Sequence, residues 1–132
     1  MSSNRKTGVL LVTHGSKLKE ANWSMFPMVR ELRRRLGNDR IAPCFMELGR
    51  PDIPTAVHKL VRRGCTHIFV HAFFLVPGQH LQKDIPRILR EALKEHPGVT
   101  FEIGNPMFTD PGLTDLVEQR LSHLLAGGES VS

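Results

Sequence analysis

Apolar residues fall into two kinds of segment along the chain, short and nearly continuous runs, and longer runs with apolar positions at helical spacing. The short runs predict four β-strands, at residues 8–13, 41–48, 67–76 and 99–103. The longer runs predict four helices, at residues 21–36, 53–63, 84–95 and 111–125. Regular alternation of strand and helix predicts a single-domain α/β fold with a four-stranded parallel sheet flanked by helices, and the apolar strands indicate burial on both faces.

Residues that start or stop helices support these boundaries. Asp52 is a candidate N-cap, and Pro54 falls in the first turn of the helix that it would cap. Gly37 is a plausible C-cap for the first helix, and Pro27 indicates that regular helix starts near that residue. We predict three parts of the chain: a flexible N-terminus at 1–6, a folded domain at 7–126 and a flexible tail at 127–132.

Proteins with parallel α/β sheets bind ligands outside the carboxyl ends of the strands, so the residues at that edge carry the candidate site. His14 follows the first strand, Glu47 ends the second, His80 follows the third and Asn105 follows the fourth. Two imidazoles and a carboxylate suit borderline divalent ions such as Fe²⁺, Co²⁺, Ni²⁺ or Zn²⁺. The sequence therefore predicts a metal site on His14 and His80, with Glu47 as a third ligand or a base.

Each histidine also has a simpler interpretation. A histidine just past a strand often only caps its loop, and Glu47 could form an ordinary salt bridge. His71 lies inside the third strand, where a buried, hydrogen-bonded histidine is the ordinary case and a position beside the metal ligands is the alternative. The other four histidines are predicted to lie at the surface: His58, His67, His96 and His123.

The chain is basic, with a formal net charge of +5 and a pI near 9.8, which could attract nucleic acid, anionic lipid or an acidic small molecule. The densest basic cluster is Arg30 with residues 33–35. No aromatic residues interleave with it to stack on bases, so a solvated helix face is favoured over a nucleic-acid interface.

Composition and motifs exclude several other classes of protein. The longest apolar run, residues 68–76, is too short to span a bilayer, and the N-terminus does not resemble a signal peptide, so we expect a cytosolic protein without a membrane partner. Cys44 and Cys65 lie in apolar stretches and are predicted to be buried free thiols. Neither GxGxxG nor GxxxxGK[ST] occurs, so we expect no nucleotide cofactor.

Three segments also carry a family resemblance. They are VLLVTHGS at residues 9–16, FMELGRPDIP at 45–54 and FLVPGQHLQKDIP at 74–86. In this order and spacing they resemble the short form of the CbiX family, which are sirohydrochlorin cobaltochelatases closely similar to the sirohydrochlorin ferrochelatases. The resemblance runs from about Val9 to Leu121, almost the whole chain.

The resemblance implies a flavodoxin-like half of a class II chelatase, which inserts a divalent metal into sirohydrochlorin without ATP. Co²⁺ is favoured as the substrate metal, with Fe²⁺ or Ni²⁺ as alternatives, in cobalamin or sirohaem biosynthesis. The family's metal-holding histidines fall on His14 and His80, and its E-L position falls on Glu47. Because longer relatives fuse two such units, the resemblance also implies a homodimer.

Basic residues near the predicted site suit a polycarboxylate tetrapyrrole. Ser16, Arg50 and Lys83 are expected to contact it, and Lys17 and Lys19 lie on the same loops. Two positions depart from the family pattern: His71 replaces a usually apolar residue, and Pro77-Gly78 replaces a more flexible loop sequence. A second hypothesis is a non-catalytic carrier of metal or tetrapyrrole that uses the same two histidines.

Overall fold

The computed structural model describes residues 6–73 and 78–128, and for residues 79–82 and Thr109 it describes the backbone alone. Along the chain the elements are β1 (Thr7–Thr13), α1 (Lys19–Trp23), α2 (Met25–Leu36), β2 (Ile41–Phe45), α3 (Ile53–Arg62), β3 (His67–Ala72), α4 (Gln79–Leu93), β4 (Thr100–Ile103), a 3₁₀ helix (Met107–Thr109) and α5 (Pro111–Leu125). None of the helices in these ranges is long and apolar enough to cross a membrane.

The four strands form one parallel sheet in the order β2-β1-β3-β4, which confirms the predicted fold class. From β1 the chain crosses to one side to form β2, then returns past β1 to form β3 and β4 on the other side. The strand order therefore reverses between β1 and β3. In open α/β sheets, ligands bind in the crevice at such a switch point, on the edge where the strands' carboxyl ends lie (the carboxyl edge).

Helices cover the two faces of the sheet unequally. On one face, α3 and α4 bury the core of Leu10, Ile68 and Val70, and Leu89 of α4 is fully buried there. On the other face, α2 packs beside β1 and β2 in a smaller cluster of buried residues: Leu11, Met25, Val29, Ile41 and Phe45. β1 is packed on both faces as a continuously apolar strand requires. The two cysteines are buried free thiols, as predicted, and burial raises the pKa of Cys44 to about 12.

Two predicted boundaries are wrong near prolines or turns. The predicted helix at 21–36 is two helices, because Pro27 has no amide to bond the carbonyl of Trp23, and α1 ends at that residue. Regular helix then resumes at Met25 and ends at Leu36, and Gly37 is its C-cap, as predicted, in the left-handed conformation with φ 60°. The second strand ends at Phe45 instead of residue 48, because Leu48 has a positive φ of 58° that turns the chain.

The third strand and the helix after it also differ from the prediction. β3 ends at Ala72, and residues 74–76 of the predicted strand lie outside the described residues. α4 begins at Gln79, five residues before the predicted start, so His80 lies in its first turn instead of in a loop. Before Ile85, Leu81 is the one apolar residue of this helix, and the polar residues around it concealed the first turn.

Asp52 caps α3 as predicted. Its side chain accepts a hydrogen bond from the Thr55 amide at 2.9 Å, and Pro54 occupies the first turn. Hydrogen bonding from Thr55 lowers the pKa of the Asp52 carboxyl, because the charged form is the better acceptor. The cap fixes the start of α3 beside the turn that follows Glu47.

We predict that Asp52→Ala lowers the free energy of unfolding by about 1 kcal/mol at pH 7, since the α3 amides lose their acceptor. A group whose folded pKa is lowered stabilises the fold above its unfolded pKa and loses that effect as pH falls through the folded value. The difference from wild type should therefore shrink below about pH 4, measured by urea denaturation at several pH values. Asp115→Ala, at an exposed position on α5, is the control. If the difference in unfolding free energy between wild type and Asp52→Ala stayed constant down to pH 2, the role of Asp52 as a cap would be contradicted.

Candidate functional site

The carboxyl ends of β1 and β2 hold His14 and Glu47 side by side. The two strands pair in register up to Thr13 and Phe45, and backbone bonding continues beyond them. The Met46 amide donates to the Thr13 carbonyl at 2.8 Å, and the Glu47 amide donates to the His14 carbonyl at 3.1 Å. The local backbone therefore determines that these two side chains leave the sheet edge together.

The side chains of His14 and Glu47 meet in solvent-accessible space. Nε2 of His14 is 3.1 Å from Oε1 of Glu47, and the side chains are 49% and 60% exposed. Nδ1 of His14 lies 3.4 Å from the Gly15 carbonyl, which can accept a hydrogen bond from a proton carried on Nδ1. In that tautomer Nε2 has a free lone pair, which faces the Glu47 carboxylate. Two donors bound to one ion at about 2.1 Å lie about 3.0–3.4 Å apart, which the observed separation matches. The pair can therefore share a divalent ion or form a hydrogen-bonded ion pair.

Gly15 makes this close approach possible. Its φ is +99°, and a Cβ built on it would lie 1.7 Å from the Glu47 carbonyl oxygen. Any other residue would push the loops after β1 and β2 apart. The glycine beside His14 is thus required by the backbone that faces it, in addition to any space that a ligand needs.

Asn22 joins the same two loops, and the sequence analysis missed it. The residue is buried on α1; its Nδ2 donates to the Ser16 carbonyl at 2.9 Å and to the Leu48 carbonyl at 2.7 Å. Its Oδ1 accepts from the Ser16 amide at 2.9 Å. One side chain therefore satisfies three backbone groups on both sides of the site. The available signal was its spacing, three and seven residues before the core positions Met25 and Val29.

The structure brings together only part of the predicted metal site. His80 lies in the first turn of α4, the helix after β3, and β3 is adjacent to β1 across the switch point. Its side chain lies outside the described part of the chain, so its pairing with His14 stays a prediction. The Asn105 loop follows β4 at the far side of the sheet, and Asn105 is exposed.

The predicted tetrapyrrole contacts lie on segments next to His14 and Glu47 or at the start of α4. The Ser16 hydroxyl accepts from the Leu18 amide at 3.1 Å, so it shapes the loop after His14. Arg50 is exposed and lines an open depression of about 650 Å³ together with Leu48, Gly49, Pro51, Asp52 and Thr55. Lys83 is exposed on α4. Both cations are free to meet an anionic ligand from solvent.

His71 is half-buried on β3, where it pairs in register with Leu11 of β1. Burial lowers the pKa of its imidazole, which favours the neutral ring at pH 7. Its ring centroid is 6.4 Å from that of Phe73. His71 thus resembles a core histidine, and among the described contacts none joins it to His14 or Glu47.

The prediction that the other histidines lie at the surface holds only in part. His123 on α5 is exposed. His67 is buried, with Nδ1 2.5 Å from the Thr100 hydroxyl and Nε2 3.5 Å from a Glu102 carboxylate oxygen, because pairing with β4 covers it. His58 and His96 are half-buried and contact each other.

Comparison with known proteins gives a family and close structural neighbours. A family model described as CbiX matches residues 8–124. The chain is 34% identical over 119 residues to the chloroplastic sirohydrochlorin ferrochelatase of Arabidopsis thaliana, covering 90% of this chain and 53% of that protein. It is 32% identical over 118 residues to the sirohydrochlorin cobaltochelatase of Sulfurisphaera tokodaii, covering 89% of this chain and 93% of that protein.

Two solved structures share the fold. The sirohydrochlorin chelatase SirB from Bacillus subtilis subspecies spizizenii, in complex with cobalt, superposes with a TM-score of 0.81 at 27% identity, over 89% of this chain and 50% of that chain. The putative cobalamin biosynthesis CbiX protein from Marinobacter aquaeolei superposes with a TM-score of 0.80 at 24% identity, over 93% of this chain and 100% of that chain. At this identity the likeness shows the fold alone. The chain thus spans about half of some relatives and nearly all of others.

We predict that Asn22→Asp lowers the free energy of unfolding by about 1–3 kcal/mol. The carboxylate keeps the acceptor for the Ser16 amide but places an acceptor oxygen against two carbonyls that Nδ2 now satisfies. Urea denaturation measures the loss. Asn38→Asp is the matched control, because Asn38 Oδ1 only accepts from the Arg40 amide, which aspartate can still do. Equal stability of both variants would refute the role of Asn22.

Proposed function

This chain belongs to the CbiX family, and we propose that it inserts a divalent metal ion into sirohydrochlorin without ATP. The observation that carries the proposal is the His14–Glu47 pair, with donor atoms 3.1 Å apart at the carboxyl edge of β1, next to the switch point. Relatives at 34% and 32% identity are named for this chemistry with iron and with cobalt. The pathway would be cobalamin or sirohaem biosynthesis.

The metal is a substrate, and Co²⁺ is the ion that we favour. Imidazole and carboxylate donors suit Co²⁺, Fe²⁺ and Ni²⁺ alike, so the donor set alone does not choose among them. Cobalt is supported by the cobaltochelatase relative in Sulfurisphaera tokodaii and by the cobalt complex of SirB. Iron is the alternative, since SirB from Bacillus subtilis was also solved with Fe³⁺.

The proposed reaction exchanges two pyrrole N–H protons for one M²⁺. His14 and His80 hold the ion before transfer, and Nδ1 of His14 is oriented by the Gly15 carbonyl so that Nε2 faces the Glu47 carboxylate. The Glu47 carboxylate, close enough to share the ion, accepts one pyrrole proton as the ion leaves, and water accepts the other. Exposure of both described side chains lets a flat macrocycle reach them directly.

Charge at the same edge supports binding of a polycarboxylate substrate. Arg50 lines the depression beside Glu47, at the N-terminal end of α3, where the helix dipole also favours anions. Lys83 lies on the second turn of α4, and the chain as a whole carries a net charge of +5. We propose that these two cations and Ser16 hold the substrate's carboxylates over His14.

We predict that His14→Ala lowers the rate of Co²⁺ insertion into sirohydrochlorin at least about 100-fold, since even residues that only support metal ligands cost 10–100-fold. Glu47→Gln, which keeps the size but removes the charge, should also slow insertion. Absorbance of the macrocycle under multiple-turnover conditions, without ATP, measures the rate. His123→Gln, at an exposed histidine on α5, is the control and should keep the wild-type rate.

The same assay separates a catalyst from the carrier alternative. Conversion of many equivalents of sirohydrochlorin per chain supports the chelatase, whereas conversion that stops near one equivalent supports a carrier. A wild-type rate in His14→Ala would show that the metal is held elsewhere. Fe²⁺ and Ni²⁺ in parallel reactions rank the substrate metals.

We also propose that the working unit is a homodimer, and α5 supports this. None of its residues is buried, and its main packing partner among the described elements is the short 3₁₀ helix before it. Its exposed apolar residues, 44–88% accessible, are Leu116, Val117, Leu121, Leu124 and Leu125. An isolated surface helix with this much apolar area needs a partner to cover it.

The open face of the sheet offers an exposed aromatic side chain for such a contact. On one face of the sheet, α2 covers β1 and β2 but does not extend over β3. Phe69 of β3 lies on that face and is 42% exposed. A second copy can bury its α5 on this open face, and twofold symmetry would then cover both helices and both sheets at once. SirB has the equivalent fold over half of its own length, so two such units in one assembly are consistent with that relative.

We predict that Leu121→Asp weakens self-association at least tenfold, because a charge would be buried with the apolar face of α5. Analytical ultracentrifugation over a concentration series measures the dissociation constant. Gln119→Asp introduces the same charge two residues earlier, toward the polar side of the helix, and should leave the dimer intact. A wild-type chain that stays monomeric at all concentrations would rule out the homodimer.

A further inference from the structure

A second cluster of metal-binding side chains lies away from His14. His58 is on α3, and Glu95 and His96 follow the end of α4. One nitrogen of each imidazole and one carboxylate oxygen of Glu95 lie within 4.8 Å of one another. We propose that these three residues, the His58 cluster, bind a borderline divalent ion such as Zn²⁺, Co²⁺ or Ni²⁺ and tie the end of α4 to α3.

The distances within the His58 cluster fit convergence on one ion. Nδ1 of His58 is 2.6 Å from Nε2 of His96, and with one ligand atom taken from each residue the three donors, including a Glu95 carboxylate oxygen, lie within 4.8 Å of one another. Two nitrogens bound to the same ion at about 2.0–2.1 Å lie about 3 Å apart, so the rings need to open by less than about 1 Å. The rings meet edge to face, with centroids 4.8 Å apart at 66°, which leaves room for that movement.

The backbone holds the ligands in place before an ion arrives. The His96 amide donates to the Leu93 carbonyl at 3.0 Å, and the His96 carbonyl accepts from the Val99 amide at 3.1 Å. The turn between α4 and β4 is therefore bonded on both sides of the ligand. α3 and α4 pack closely together, which brings His58 to this turn. A site with a fixed backbone loses less entropy when it binds a metal.

Charge and access at this place also suit a cation. The cluster lies just past the C-terminus of α4, where the helix dipole is negative. Lys94, which directly precedes Glu95, is paired with Glu91 at 2.9 Å. The side chains of His58 and Glu95 are 37% and 75% exposed, so an ion can enter from solvent. Imidazole with carboxylate is a donor set for the later first-row divalent ions.

The His58 cluster is separate from the proposed insertion site. α4 starts after β3 at the carboxyl edge and ends before β4, so Glu95 and His96 lie at the opposite edge of the sheet. An ion bound there cannot reach a macrocycle held over His14. The structure assigns it a stabilising role instead, since it would join two helices that cover the same core.

The test compares Zn²⁺ binding and thermal unfolding of the full chain, with and without His96→Gln. In wild type, the Zn²⁺ held by the His58 cluster should raise Tm by roughly 5 °C or more, and His96→Gln should lose that part of the rise together with one bound Zn²⁺ per chain. His123→Gln is the matched control and should keep both. His14→Ala should keep the part of the rise in Tm that comes from the His58 cluster, because His14 lies outside that cluster.

Other measurements separate this site from a folding defect and from the chelatase. Tm in the presence of EDTA should be similar in wild type and His96→Gln, and Glu95→Gln should weaken Zn²⁺ binding with less change in the fold. Co²⁺ insertion by His96→Gln should match wild type. The proposal is overturned if His96→Gln keeps the full Tm rise, or if His14→Ala abolishes it, and neither result would affect the proposed insertion reaction.

Discussion

Backbone pairing between the ends of β1 and β2 determines the geometry of the candidate site. The Thr13 and His14 carbonyls accept hydrogen bonds from the two backbone amides that follow β2. The Asn22 side chain bonds to both the loop after β1 and the loop after β2. This arrangement tolerates only glycine at position 15, where the neighbouring carbonyl occupies the space of a Cβ. The contact between His14 and Glu47 is thus a product of strand adjacency, and it would be lost by any change that separates the two loops.

Much of the fold could be predicted from the sequence, because the pattern of apolar residues is strong wherever an element is buried. The four strands, the parallel sheet, the Asp52 cap and the bounds of α5 at Pro111–Leu125 were all predicted correctly. His14 and Glu47 were predicted to lie at one edge because parallel strands place their carboxyl ends together. The structure places them in contact at that edge, with Nε2 of His14 3.1 Å from Oε1 of Glu47. The pairing with His80 and the cytosolic location stay predictions.

The errors have physical causes that a single sequence conceals. His67 looks like a surface residue at the start of a strand, and only the pairing of β3 with β4 buries it against Thr100. The first turn of α4 has Leu81 as its one apolar residue, so the apolar periodicity becomes clear only after the helix has begun. Asn22 resembles an ordinary polar position on a short helix, and its three backbone partners are six and twenty-six residues away. Contacts between distant segments decided each case.

The exposure of His14 and Glu47 has a consequence for metal selection. An open pair of donors imposes neither a cavity size nor a full coordination geometry on its ion, so its intrinsic preference follows the Irving–Williams series. Copper and zinc would then outcompete cobalt or iron at equal concentration. If the chain has the proposed function, the cell must keep the free concentrations of copper and zinc low. Which metal enters the tetrapyrrole then depends on metal homeostasis in the cell as well as on the protein.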